Sequence, residues 1–144
     1  MIKVDNSRVK IVYGLILWVL AIIYATTIMI IIGVDFDEPD FEFGPDHDKY
    51  WTFELIMIPS FLLIGSLFVY RYLSKIALSK GNWLDETVSW GLIVMMIQFL
   101  MDLIVLVILA GSGLDYFLAM VTLSYLFIPL NAYIVGWYRF RQNQ

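Results

Sequence analysis

From Ile11 to Val34 the chain carries no charged residue, and the same is true from Tyr116 to Tyr138. Between them lie two more long apolar segments, about 51–72 and 88–110. A helix needs about 20 apolar residues to cross a hydrocarbon core of about 30 Å, so each segment is long enough to span. Backbone polar groups inside lipid must be satisfied within the segment, which makes these spans helical. The fold class read from the sequence is therefore all-α: an integral membrane four-helix bundle forming a single domain over residues 1–144. Composition agrees. The hydrophobic content of 61% and the charged content of 15% fall well outside the range of soluble domains. A cleaved signal peptide is the competing reading of the first segment. Its apolar run would be about 7–15 residues and end in a small-residue cleavage site, and this run is longer.

Charge patterning sets the expected orientation. Lys3, Arg8 and Lys10 precede the first segment, Arg71, Lys75 and Lys80 separate the second from the third, and Arg139 and Arg141 follow the fourth. Of the basic residues only Lys49 falls on the other side. The positive-inside rule then places both termini in the cytoplasm of a cell-membrane protein. The acidic loop 35–50, DFDEPDFEFGPDHDKY, lies outside. Tyr50, Trp51 and Tyr116 suit the outer interface, and Tyr72, Trp83, Trp90, Trp137 and Tyr138 the inner one. Asn82, followed by Asp85 and Glu86, has the pattern of an N-cap with acids in the first turn. Gly111-Ser112-Gly113 supplies the turn before the fourth segment.

One residue breaks the apolar pattern. Asp102 sits inside VSWGLIVMMIQFLMDLIVLVILA (88–110), with Gln98 one helical turn before it. At about 1.5 Å per residue it lies roughly 12 Å in from the outer end of its segment. An aspartate at the middle of a span costs about 2.5–3.5 kcal/mol on insertion scales, so it is expected to face the bundle interior or water. Counting the same depth on the other segments reaches Thr26 and Thr27, Pro59 and Ser60, and Ser124 and Tyr125. Gln98 and Asn131 lie deeper, at similar levels, where they can pair. The candidate intramembrane polar site is thus Asp102, Gln98, Asn131, Tyr125 and Thr27. Glu54, near the start of the second segment, is a candidate for a hydrated outer mouth. Small residues offer places for close helix approach at Ala21-x-x-x-Ala25 and Gly91.

Two readings of Asp102 stand side by side. Lone acids in membrane spans often mark proton relays and ion pathways. The alternative is a protonated Asp102 that donates to a hydroxyl, an amide or a kink-freed carbonyl and simply glues helices together. The expected function is accordingly a multi-pass membrane protein of structural, accessory or partner-binding role. The alternative is a small oligomeric transporter or channel, linked to protons or cations through Asp102.

The expected partners are the lipid bilayer and either further copies of the chain or a larger membrane complex, with no nucleic acid. No cofactor is expected. Cysteine is absent and His47 is the single histidine, which removes thiolate metal sites and paired-histidine haem ligation. No catalytic motif of the hydrolase, metalloprotease, P-loop or dinucleotide type is present, so no enzyme activity is expected. The loop acids Asp35, Asp37, Glu38, Asp40, Glu42, Asp46 and Asp48 suit a divalent cation by type but match no EF-hand spacing. A solvated interfacial loop, with Phe36, Phe41 and Phe43 resting on the membrane surface, is the other reading.

The pattern W-x7-Q-x3-DLIVL, followed by Tyr125 and Pro129, resembles small four-helix prokaryotic membrane proteins with no assigned activity. The resemblance covers Trp90 to Gly136 and implies no substrate, cofactor or catalytic residue.

Overall fold

A computed structural model describes residues 6–35, 46–76, 78–109 and 121–142. Most of the acidic loop, the turn at Gly111-Ser112-Gly113 and the start of the fourth segment at Tyr116 lie outside the described residues. Among those described the fold is all-helical: α1 (Asn6–Ile31), α2 (Tyr50–Leu73), α3 (Trp83–Asp102) and α4 (Val121–Gln142). A π-helical stretch, Leu103–Leu109, continues α3 without a break. Three of these helices, α1, α2 and α3 with its continuation, are long and apolar enough to cross a membrane. The described part of α4 begins at Val121 and reaches Arg139 and Arg141 in its last turn.

α1 ends where backbone geometry dictates. Gly33 adopts φ +74°, a conformation open to glycine at little cost. Val34 N–H then reaches the Met29 carbonyl at 2.9 Å and Gly33 N–H reaches Ile30 at 3.0 Å. This is a Schellman closure, completed by the buried side chain of Val34. Lys49 donates to the Gly33 carbonyl. It thereby ties the entry of α2 to the exit of α1, at the end of the bundle that carries Asp35, Asp46 and Asp48. The start of α3 departs from the expected cap. Asn82 holds the N-cap position without a side-chain bond into the helix; its Oδ1 instead accepts the Ser79 N–H at 2.7 Å. Asp85 and Glu86 still lie in the first turn, where negative charge favours the helix dipole.

α3 lies between α1 and α4, while α2 closes the ring against α4 and α1 and barely touches α3. The core gathers Leu17, Val69, Tyr72, Leu73, Trp90, Val94 and Ala132. Trp90 and Tyr72, expected at an interface, are buried in it, and Tyr50 is buried near the opposite end. Their rings fill the space between helices: Tyr72 meets Trp90 at 6.4 Å and Tyr13 at 5.9 Å between centroids. Many large apolar side chains face outward, among them Ile23, Ile30, Leu55, Leu63, Leu67 and Ile108. Helices apolar on all sides belong in the core of a large protein or in a bilayer.

Close approach is made by glycine. A Cβ on Gly91 would stand 2.6 Å from the Pro129 Cα, one on Gly14 would stand 2.6 Å from Ile97, and one on Gly136 would overlap Thr87. Gly91 thus brings α3 against α4 as its small size suggests. On α1 the closest approach falls at Gly14, not at Ala21 and Ala25, which stay half-buried. Overpacking a tight helix contact costs about 1–3 kcal/mol. Gly91→Ala should therefore lower stability by that order in detergent unfolding followed by circular dichroism. Gly81→Ala, where a Cβ meets nothing within 4 Å, should leave it unchanged. Equal behaviour of the two variants would contradict this packing.

Candidate functional site

Asp102 is buried, with 9% of its surface exposed, and both its oxygens are engaged. The indole N–H of Trp18 on α1 donates to Oδ1 at 2.7 Å. The hydroxyl of Tyr125 on α4 donates to Oδ2. The carboxyl therefore joins three helices. Tyr125 is held from the side by Phe99, whose ring meets it edge-on at 6.2 Å. It also precedes Pro129 by one turn, and proline supplies no N–H for the Tyr125 carbonyl. Immediately after Asp102 the backbone widens into the π-helical stretch.

Depth counting found Tyr125 but misplaced the partner on α1. Thr27 donates to the Ile23 carbonyl of its own helix at 2.7 Å on an exposed face, and so takes no part in the site. Trp18, two turns deeper, takes the place expected for the threonines. One signal for it was in the sequence. A tryptophan amid an apolar run brings a polar N–H that needs an acceptor when buried, and Asp102 was the unmatched acceptor.

Gln98 and Asn131 do not pair with each other. Gln98, also buried, donates to the Gly14 carbonyl at 3.1 Å, reachable because Gly14 lets α1 and α3 come close. Asn131 turns to α2, where its Nδ2 donates to the Leu62 carbonyl at 3.0 Å and its Oδ1 accepts from Ser66 at 2.9 Å. Glu54 is half-buried in the first turns of α2, beside the Tyr50 side chain one turn earlier. It does not reach Asp102. At the head of α2, Asp46 and Asp48 flank His47, whose Nδ1 accepts the Lys49 backbone N–H at 3.2 Å.

A second polar cluster was missed by treating Lys10 as a residue outside the first span. α1 begins at Asn6, so Lys10 is helical and buried. Its Nζ stands 2.9 Å from Glu86 and donates to the Ser89 hydroxyl at 2.6 Å. Tyr72 donates to the same Glu86 oxygen at 2.8 Å, and Lys10 lies 5.8 Å from the Tyr72 ring centroid. An acid in the first turn of α3 facing a lysine in the first turns of α1 was visible in composition. That they meet depends on these two helices packing side by side and parallel.

The two clusters sit on the same helix, about 24 Å apart at about 1.5 Å per residue. Between them stand Trp90 and Val94 of α3 and Leu17 of α1, all fully buried. A cavity of about 20 Å³ is lined by these three together with Phe61, Gly65 and Asn131, room for about one water. The Trp90 indole N–H beside it has no hydrogen-bond partner. Asp102 and Glu86 are thus separated by a buried, mostly apolar plug that also holds the Gln98 amide, tied to the Gly14 carbonyl.

No known protein family, curated protein or solved structure matches the chain. The site is therefore interpreted on its own geometry: hydrogen-bond donors converge on one carboxyl, and the nearby Gln98, Asn131 and Ser66 side chains each have a partner within the bundle. Such an arrangement holds helices together. A buried hydrogen bond to a polar partner contributes about 0.5–2 kcal/mol in these settings. Trp18→Phe and Tyr125→Phe should each lower stability by that amount in SDS-titrated unfolding. Thr27→Val should have no effect beyond error. A cost at Thr27 equal to that at Trp18 would contradict the assignment.

Proposed function

We propose that the chain is a multi-pass protein of the cell membrane with an accessory or partner-binding role. Both termini lie in the cytoplasm and the acidic loop lies outside. The observation that carries this reading is the engagement of Asp102 by Trp18 and Tyr125, with an apolar plug between it and the Lys10–Glu86 cluster. A conduit needs polar or hydrated groups from one surface to the other. Here the polar groups are spent on neighbouring helices. The orientation follows from the basic residues at one end of the bundle. The outward apolar side chains supply the surface that lipid, further copies or a larger membrane complex would cover.

One observation favours a second reading, an oligomeric proton- or cation-linked transporter or channel using Asp102. The π-helical stretch begins directly after the acid, and π-bulges are frequent at functional sites. Flux measurements separate the two. In proteoliposomes under an imposed pH gradient, the accessory reading predicts no flux above protein-free vesicles and no change on Asp102→Asn. Flux that is lost in Asp102→Asn, with helicity retained, would replace the accessory reading by the transporter one. Cross-linking in native membranes should in addition trap an adduct of fixed mass. A chain that stays uncross-linked at all reagent concentrations would count against the partner-binding role.

A further inference from the structure

The outer surface of the bundle is not uniform. Between α2 and α4, toward the end carrying the basic residues, lies an open groove of about 360 Å³. Leu67, Ile134 and Val135 form its apolar floor, and Tyr70, Trp137 and Tyr138 line its aromatic rim. Its size falls in the range of small-molecule and cofactor sites, yet it opens along the bundle's apolar exterior.

Two guanidinium groups belong to the same end. Arg139 packs over the Tyr70 ring at 5.1 Å from its centroid, with Nη1 3.5 Å from the Tyr70 hydroxyl. Arg141 packs over the Trp137 ring at 4.2 Å. Stacking on aromatic faces holds a guanidinium in place while leaving its edge open for a bidentate acceptor. Among the described residues neither arginine forms an ion pair with a carboxylate. The Arg139 Nε is buried and has no hydrogen-bond partner. Neither arginine lines the groove itself, but each is stacked on a ring that does. An apolar trough with such cations beside its aromatic residues is complementary to one amphiphile: an acyl chain with an anionic phosphate head.

We propose that the α2–α4 groove is a binding site for an anionic phospholipid. One acyl chain lies over Leu67, Ile134 and Val135, and the headgroup phosphate lies at the end of the groove near Arg139 and Arg141, which stack on Tyr70 and Trp137. The aromatic rim marks the level where chain gives way to headgroup, which is where tyrosine and tryptophan are favoured. Basic residues at this level attract anionic lipid, and the basic end then faces the anionic cytoplasmic leaflet. The inference rests on the membrane reading above and is independent of whether Asp102 is a tie or a coupling acid.

Native mass spectrometry of the full chain in non-ionic detergent tests it, with dioleoyl-phosphatidylglycerol and dioleoyl-phosphatidylcholine added in equal amounts. The site predicts one retained phosphatidylglycerol, preferred over phosphatidylcholine by about ten-fold or more from two cations. The preference should collapse toward unity in Arg139→Gln/Arg141→Gln. It should also fall in Leu67→Trp, which fills the trough and leaves the charge intact. Inorganic phosphate at the same concentration should not displace the lipid.

Equal retention of the two lipids would overturn the proposal. So would a preference that survives both variants, or displacement by phosphate alone. Carbonate extraction of the chain from cell membranes keeps the premise separate. Release into the soluble fraction would remove the membrane reading itself, whereas an extraction-resistant chain without lipid preference removes only the site.

Discussion

The Asp102 carboxyl, held by an indole N–H from α1 and a phenol from α4, is the contact on which the rest of the bundle depends. In an apolar surround, water neither competes for hydrogen bonds nor drives helices together. Helix association must then come from close packing and from polar contacts between helices. This chain uses both, at nearly every helix pair of the ring. α1 and α3 are joined by Trp18–Asp102, by Gln98 to the Gly14 carbonyl and by Lys10–Glu86. α3 and α4 are joined by Asp102–Tyr125, and α4 and α2 by Asn131 with Ser66 and the Leu62 carbonyl. The glycines act at the same seams. Gly14 exposes the carbonyl that Gln98 reaches, and Gly91 admits Pro129 close to α3.

This division of labour explains why the polar residues lie where they do. In the bilayer proposed for this chain, a charged or amide side chain facing outward would have to be solvated by lipid at a cost of several kcal/mol. Facing inward, it can be matched by a partner supplied in the same chain. The Lys10–Glu86 pair is kept to the end, where Glu86 retains partial exposure and Tyr72 shares its oxygen. The deeper acid has neutral donors only. Trp90, Val94 and Leu17 pack the interval, and the one amide within it, Gln98, is spent on the Gly14 carbonyl.

The helices were legible in the sequence because long apolar runs are a strong signal, and the absence of strands among the described residues follows from them. The inward-facing Asp102 was legible for the same reason, and depth counting put Tyr125 at its level. That the carboxyl accepts from the phenol, where donation from a protonated Asp102 was expected, was not legible. Depth counting failed for α1. It assumes that helix ends are level, and α1 meets α3 nearer its own start than its outer end, which brings Trp18 rather than Thr27 to the acid. The Gln98–Asn131 pairing failed because the two residues lie on faces turned toward different neighbours, which depth alone does not reveal. Trp90 and Tyr72 were assigned to an interface by residue type. They are core residues because glycines elsewhere draw the helices together and leave ring-sized gaps beside them. Lys10 was set outside the first span by its charge. A lysine stem is mostly apolar, and a facing glutamate supplied what its head required.

The claim that the polar layers are sealed ties rather than parts of a water path rests most heavily on the plug. The chain contains no cysteine, so a single introduced thiol reports without background. The decisive measurement is the reactivity of Val94→Cys in proteoliposomes toward a small, charged thiol reagent applied from both sides, with the exposed Ser79→Cys as reference. The sealed bundle predicts rapid labelling at position 79 and none at position 94. Labelling at position 94 on the timescale of position 79 would contradict it and place water between Asp102 and Glu86.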